Sequence, residues 1–165
     1  MKKIKYSNPL SLLNQKGFSL IELIIILVII GIMIAASSSR LKDITTNARV
    51  GASINQITGD IDQAKAISMS MRSQIQIIFN QNNETYTIYK DGILYNDFPG
   101  SENGIVNLLG DDNNADVDIT SVSLNGSNTL TFDKWGNCLQ SGTIVLNNDR
   151  QIQIKNLTGH WEIIN

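Results

Sequence analysis

Apolar residues dominate one stretch near the start of the chain, from residue 18 to residue 36. Its 19 residues approach the ~20 that a helix needs to cross the apolar core of a bilayer. Glu22 is the one charged residue in this stretch. A carboxylate inside a spanning helix costs about 2.5–3.5 kcal/mol at the helix centre and usually has a partner. The pattern predicts a membrane-spanning helix whose carboxylate has a function.

Apolar residues then recur every three or four positions, which places them on one face of a helix. No proline lies between Leu10 and Phe98, so nothing forces a break after the apolar stretch. We therefore predict one helix over residues 18–71. A coiled coil is the alternative, but a small, isoleucine-rich stripe favours packing on a sheet. The stripe comprises Leu41, Ile44, Ala48, Gly51, Ile54, Ile57, Ile61, Ala64, Ile67 and Met71.

After Arg72 the apolar residues alternate with polar ones, which is typical of strands. Short links such as Asp91-Gly92 and Asn125-Gly126 suit turns between them. The fold class that this order predicts is α+β, with a long N-terminal helix packed on a C-terminal antiparallel β domain. The first half of the helix spans the membrane and the second half is amphipathic. The predicted strands cover residues 74–79, 84–89, 93–95, 105–109, 117–124, 129–132, 143–146, 151–155 and 160–164.

The charge is distributed unevenly along the chain. Four of the 13 basic residues lie in residues 1–17, so the chain from Phe18 onward has nine Lys and Arg against 15 Asp and Glu, a formal −6. The basic leader favours retention on the cytoplasmic side, with the β domain beyond the inner membrane. Arg40 and Lys42 weaken this bias without reversing it. An acidic body disfavours binding to nucleic-acid phosphates.

A basic leader, a Gly-Phe junction and a carboxylate four residues later coincide in residues 16–22, Lys-Gly-Phe-Ser-Leu-Ile-Glu. This segment resembles the cleavage and methylation signature of type IV prepilins and type II secretion pseudopilins. An ordinary secretory signal peptide has a shorter apolar region, of about 7–15 residues, and a cleavage site after it. A plain uncleaved anchor gives no reason for Gly17 or Glu22.

The resemblance implies that a prepilin peptidase cleaves after Gly17 and methylates the new amino group of Phe18. It also implies that Glu22 meets the amino terminus of a neighbouring subunit during assembly, which supplies a cationic partner. The implied partners are the peptidase, other pilin or pseudopilin subunits and the inner membrane. The chain would cross that membrane once, with a cytoplasmic N-terminus, before it enters a pilus or pseudopilus.

The patterns and the resemblance together predict four segments. Residues 1–17 form the prepilin leader peptide and residues 18–36 the transmembrane and assembly helix. Residues 37–72 form an amphipathic helix that continues into the globular domain. Residues 73–165 form the β-rich periplasmic domain.

The C-terminal strands resemble those of the GspH/FimT family of minor pilins and pseudopilins, in residues 130–137, 141–146, 151–154 and 158–159. This resemblance implies a minor subunit at the tip or in priming of a type IV pilus or type II secretion pseudopilus. Some FimT-like members bind DNA through an arginine-rich stretch after the last conserved glycine. Here Gly159 is followed by His-Trp-Glu, which disfavours DNA binding. The alternative function is a membrane-tethered binding module for DNA, calcium or a surface ligand.

An acidic loop raises the question of a calcium site. Asp112, Asn114, Asp116 and Asp118 alternate as oxygen ligands of a calcium loop would. Val117, however, stands at the obligatory glycine position, which excludes an EF-hand. A looser site remains the alternative to a solvated acidic turn.

Residues suited to catalysis are scarce. Cys138 is the only cysteine, so no disulfide forms within the chain; a buried thiol is the favoured interpretation, and pairing with another chain is the alternative. His160 is the only histidine and more typical of a structural residue. No metal-binding cysteine spacing, phosphate loop or nucleophile elbow occurs. The sequence predicts neither an enzyme nor a cofactor.

Overall fold

One long helix precedes every strand in the described part of the chain. The structure is a computed structural model that describes residues 17–108 and 117–164. Helix α1 comprises Leu20–Met71, 52 residues, close to the predicted bounds. The chain divides into two compact units, Met1–Leu41 and Lys42–Asn165. The α+β order of a long helix followed by antiparallel strands is as predicted.

The strands of the second unit form two antiparallel sheets. In sheet A, β3, β2, β1 and β6 are neighbours in that order, and β4 also pairs with β2; in sheet B the order is β5, β7, β8, β9. The strands of sheet A are β1 Ile75–Asn80, β2 Thr85–Lys90, β3 Ile93–Leu94, β4 Ile105–Asn107 and β6 Thr129–Phe132. Those of sheet B are β5 Ile119–Leu124, β7 Gly142–Leu146, β8 Arg150–Ile154 and β9 Trp161–Ile164.

Alternate residues of the strands build the core, as period-two patterning requires. In β1, Ile75, Ile77 and Phe79 are buried while the residues between them are not. Phe79 lies opposite Tyr86 of β2, and the two ring centroids are 5.4 Å apart. Such an aromatic pair adds about 0.5–1.5 kcal/mol beyond its buried area.

One predicted strand pairing is wrong. Asn125-Gly126 does form a tight turn, with both residues at positive φ, and Leu124 and Ser127 exchange two backbone hydrogen bonds. Beyond that single bridge the strands separate, since β5 joins sheet B and β6 joins sheet A. The predicted turn is therefore present, but the strand that follows it belongs to the other sheet.

The buried face of α1 also differs from the predicted stripe. Ile54, Ile57, Ile61 and Ala64 are buried as predicted, whereas Ile44 is 64% exposed. Ala48 and Met71 of the predicted stripe are exposed as well. The buried face includes polar residues that hydrophobicity alone does not reveal, among them Ser53, Thr58 and Ser68. Thr58 and Ser68 donate their hydroxyls to helix carbonyls, so their burial leaves no donor unmet.

Helix α1 ends in a Schellman motif. The Ser73 N–H donates to the Ser68 carbonyl at 3.2 Å, and Arg72 between them has φ 50. Glycine is the usual residue at this left-handed position. Arg72 therefore occupies a strained position at the end of the helix.

Candidate functional site

The predicted processing site lies immediately before the first turn of α1. Gly17, Phe18 and Ser19 are not helical, and α1 begins at Leu20. The Leu23 N–H donates to the Ser19 carbonyl at 3.2 Å, which makes Ser19 the N-cap residue. Serine is among the residues most favoured at this position. Sequence reasoning missed this role of Ser19.

Glu22 lies in the first turn of α1, three residues after the N-cap. The spacing Ser-x-x-Glu is that of a capping box, and this was the available signal for the start of the helix. The positive end of the helix dipole favours a carboxylate here by about 0.3–1 kcal/mol. The side chain of Glu22 is exposed. It is therefore accessible to a partner from outside its own chain.

The Gly17–Phe18 junction is accessible as well. The Phe18 side chain is 75% exposed. A Cβ built on Gly17 would meet no atom within 4 Å, so the fold itself does not require glycine there.

Large apolar side chains are exposed throughout residues 18–34. Each of them is at least 43% exposed, so this stretch presents an apolar surface in which Glu22 is the one charged residue. The predicted membrane crossing is not confirmed, because no helix within the described residues has the length and hydropathy for it.

Of the four candidate calcium ligands, only Asp118 lies within the described residues. Asp112, Asn114 and Asp116 lie outside them. Asp118 is engaged locally, since its N–H donates to Asn147 Oδ1 at 2.8 Å and its Oδ2 accepts from the Thr120 hydroxyl at 2.9 Å. No group of three or more His, Cys, Asp or Glu is arranged to hold a metal in the described ranges.

The segment that would carry DNA binding in FimT-like proteins packs against α1. Lys65 Nζ donates to the Thr158 carbonyl, and the Trp161 indole N–H donates to Asp62 Oδ2 at 3.2 Å. A cavity of about 560 Å³ lies beside these contacts. Asp62 offsets the charge of Lys65 at its wall, so the surface is not the cationic cluster that phosphates call for.

Cys138 and His160 have ordinary surroundings. Cys138 is buried, its thiol donates to the Gln140 carbonyl at 3.1 Å, and burial raises its pKa. A thiol of this kind is unreactive because its thiolate is disfavoured. His160 is exposed, with Nε2 3.7 Å from Glu162 Oε1.

Comparison with protein families gives one match, over residues 12–38, to the prokaryotic N-terminal methylation motif. The matched segment includes Gly17, Phe18 and Glu22. Neither the curated proteins nor the solved structures yield a match. The motif implies processing by a prepilin peptidase, anchoring in the inner membrane and assembly with other pilins. It supports the assignment of this chain to the type IV pilin-like proteins.

Proposed function

We propose that the chain is a minor pilin or pseudopilin, a structural subunit that enters a type IV pilus or a type II secretion pseudopilus near its tip or during priming. The observation that carries this proposal is the exposed Gly17–Phe18 junction directly before α1, with Glu22 in the first turn. The methylation motif covers this same segment.

Cleavage is the first step. The prepilin peptidase hydrolyses the Gly17–Phe18 bond and methylates the amino group that this exposes on Phe18. Non-helical backbone on both sides of the bond suits it to an extended protease cleft. Residues 18–36 then hold the protein in the membrane through their exposed apolar side chains.

Assembly is the second step. Glu22 pairs with the cationic N-terminus of a neighbouring subunit. At about 4 Å two unit charges attract by about 4 kcal/mol at an effective dielectric constant of 20. The same carboxylate left unpaired among apolar helices would carry its full desolvation cost. A misplaced subunit is therefore disfavoured, and head-to-tail repetition of this contact yields an open helical filament.

The C-terminal unit supports the finer assignment to the GspH/FimT type. The resemblance implies a long helix followed by a β-rich domain without a disulfide, and the two antiparallel sheets after α1, in a chain with a single cysteine, are consistent with it. In this role the β unit selects the subunits that fit beside it and has no catalytic part.

The N-terminus of the mature protein tests the first step. With the peptidase present, mass spectrometry of protein from membranes is expected to find a methylated Phe18 as the first residue. Gly17→Val is expected to block cleavage without changing the circular dichroism spectrum, since a side chain at Gly17 meets open space. Mature protein that still begins at Met1 would refute the proposal.

Incorporation into sheared filaments tests the second step. Glu22→Leu is expected to abolish incorporation because the neighbouring amine loses its partner. Leu23→Ile, one residue away and equally apolar, serves as the matched control and should assemble normally. The abundance of the subunit then separates a minor from a major component. Normal assembly of Glu22→Leu would contradict the proposed assembly step.

The second candidate function is a membrane-tethered binding module delivered by the prepilin route. The observation in favour of this function is the cavity beside Lys65 and Trp161, which lies in the segment where FimT-like members bind DNA. A gel shift with the full chain in detergent tests it. Retardation of DNA at low salt that Lys65→Ala abolishes would favour this function over a purely structural one.

A further inference from the structure

A second cavity, of about 310 Å³, lies where three turns of the C-terminal unit meet. Its walls come from the residues directly after α1, from the β2–β3 turn and from the turn after β6. Side chains on turns held by a rigid scaffold are the usual carriers of binding functions. The proposed filament function uses none of these residues. The cavity is lined by Arg72, Gln74, Asp91, Asp133, Lys134 and Trp135.

The turn after β6 fixes the backbone at Trp135. Asp133 Oδ1 accepts the backbone N–H groups of Trp135 and Asn137, each at 2.8 Å, and Asp133 Oδ2 accepts the Asn137 side-chain amide at 2.9 Å. The hydrogen bond from the Asn137 side chain, with the backbone donors, lowers the pKa of Asp133. The carboxylate therefore remains ionised and the turn stays locked at neutral pH.

Trp135 nevertheless remains 63% exposed at the tip of this turn. A large aromatic side chain gains about 25 cal/mol for each Å² of apolar surface that it buries, so leaving it in water forgoes that stabilisation. Lys134 Nζ lies 5.2 Å from the centroid of the Trp135 ring. The indole is thus presented on a preorganised backbone, with the Lys134 ammonium over its ring.

The rest of the wall is polar and of mixed charge. Asp91 Oδ1 accepts the Gln74 backbone N–H at 2.9 Å, which fixes the carboxyl at the wall of the cavity. Arg72 supplies N–H donors from the left-handed position directly after α1. Two carboxylates, Asp91 and Asp133, balance the cations Arg72 and Lys134, so the cavity has no formal net charge.

We propose that this cavity binds a neutral carbohydrate, with Trp135 stacked on the C–H face of a pyranose ring and Arg72, Gln74 and Asp91 bonded to its hydroxyls. The C–H groups of a sugar ring carry partial positive charge, which the electron-rich face of an indole attracts. Its hydroxyls both donate and accept, and this wall offers partners for both.

Other ligand classes fit less well. A single-stranded nucleic acid would also stack on an indole, but it requires a cationic groove along its phosphates, and two carboxylates line this cavity. An apolar peptide would require several apolar wall residues, and Trp135 is the only large one in the lining. One aromatic platform within a mixed polar rim favours the sugar.

Tryptophan fluorescence tests the proposal on the full chain. The chain has two tryptophans, so a Trp161→Phe background leaves Trp135 as the reporter. The detergent must lack a sugar head group. Chitotriose, cellotriose and maltotriose are titrated to about 10 mM, a range suited to the weak, millimolar affinity of a small open site. We expect a saturable change in Trp135 emission with at least one of them.

Substitutions in and outside the cavity test where the sugar binds. In calorimetry, Trp135→Ala is expected to weaken the affinity at least tenfold and Asp91→Asn severalfold, while Trp135→Phe retains part of it. Leu157→Ala, which removes another exposed apolar side chain outside the cavity, is the matched control and should bind as the parent does. Unchanged thermal unfolding shows that each variant is folded.

Three results would overturn the proposal. They are no saturable change with any of the three sugars, sugar binding that survives Trp135→Ala, and Trp135-dependent binding of a single-stranded oligonucleotide in place of sugar. None of them bears on cleavage at Gly17, so the proposal stands or falls independently of the filament function.

Discussion

Gly159 shows how closely one residue can determine local packing. Its φ is +61, and a Cβ there would lie 2.8 Å from Cε1 of Phe132 and 3.3 Å from Cβ of Cys138. Phe132 is fully buried, so its ring cannot move away from an added Cβ. Glycine is required here both by the backbone and by the neighbouring ring.

Gly159→Ala is therefore expected to lower the free energy of unfolding by about 2–4 kcal/mol, combining left-handed strain with overpacking. Gly126→Ala isolates the strain, because Gly126 has φ +80 but an added Cβ meets nothing within 4 Å. The free energy of unfolding of Gly126→Ala should fall by only about 1–2 kcal/mol. Urea denaturation of both variants measures the difference, and equal losses would show that the contact with Phe132 is unimportant.

Asp60 and Tyr86 join α1 to sheet A by one partly buried hydrogen bond. The Tyr86 hydroxyl donates to Asp60 Oδ2. Burial raises the pKa of Asp60 above its ordinary 3.8, although the bond from Tyr86 opposes this. Burial and the bond to Asp60 also raise the pKa of Tyr86, which therefore keeps its proton throughout the usual pH range.

This carboxyl makes stability depend on pH. Because the folded-state pKa of Asp60 is raised, the folded state binds the proton more tightly than the unfolded state. Its contribution is complete below about pH 3.8, the unfolded value, and is lost as pH rises through the folded pKa. Asp60→Asn removes this loss, so its stability relative to the parent should increase from pH 4 to pH 7. Thermal unfolding at several pH values checks the sign, and a relative decrease would contradict it.

At the scale of elements, two isoleucines of the stripe predicted for α1 differ in burial. Ile61 is fully buried and Ile44 is 64% exposed. Ile61→Ala should cost about 2–5 kcal/mol, the range for a truncation that leaves a cavity. Ile44→Ala should change the unfolding free energy by less than about 0.5 kcal/mol. Chemical denaturation measures both, and similar losses would mean that the stripe extends to Ile44.

The sequence predicts these elements well because each has a local signal. The nine described strands all fall where alternation places them, within one or two residues. Their distribution between two sheets has no local signal, so the separation of β5 from β6 could not be foreseen from Asn125-Gly126. Ser53 and Ser68 were likewise missed, because helix carbonyls can satisfy a buried serine that a hydrophobicity pattern counts as exposed.

The two candidate sites differ in the same way. Gly17, Phe18 and Glu22 are contiguous, so a motif reveals them. Arg72, Asp91 and Trp135 come from three distant turns and meet only through the fold. Their proximity could not be predicted without the strand order, and the exposure of Trp135 is seen only in the structure.

At the scale of the whole molecule, the described part of the first unit is helix from Leu20 onward with exposed apolar side chains, and the second unit contains the core. We expect Leu27→Lys, in the middle of the apolar stretch, to reduce membrane association. The added charge costs about 2.5–3.5 kcal/mol near the centre of a spanning helix. Ile44→Lys, at an exposed position outside that stretch, is the control. Cell fractionation measures both, and equal retention in the membrane would contradict membrane anchoring by residues 18–36.

Sheet A has a further consequence for how the protein is made. Strand β6 pairs with β1, and the first of its paired residues, Thr129, comes after four intervening strands. Until that residue has left the ribosome, β1 lacks a neighbour on one edge, and bare edges invite aggregation. Pairing over so long a loop is also slow. Sheet A therefore closes only after most of the chain has been synthesised.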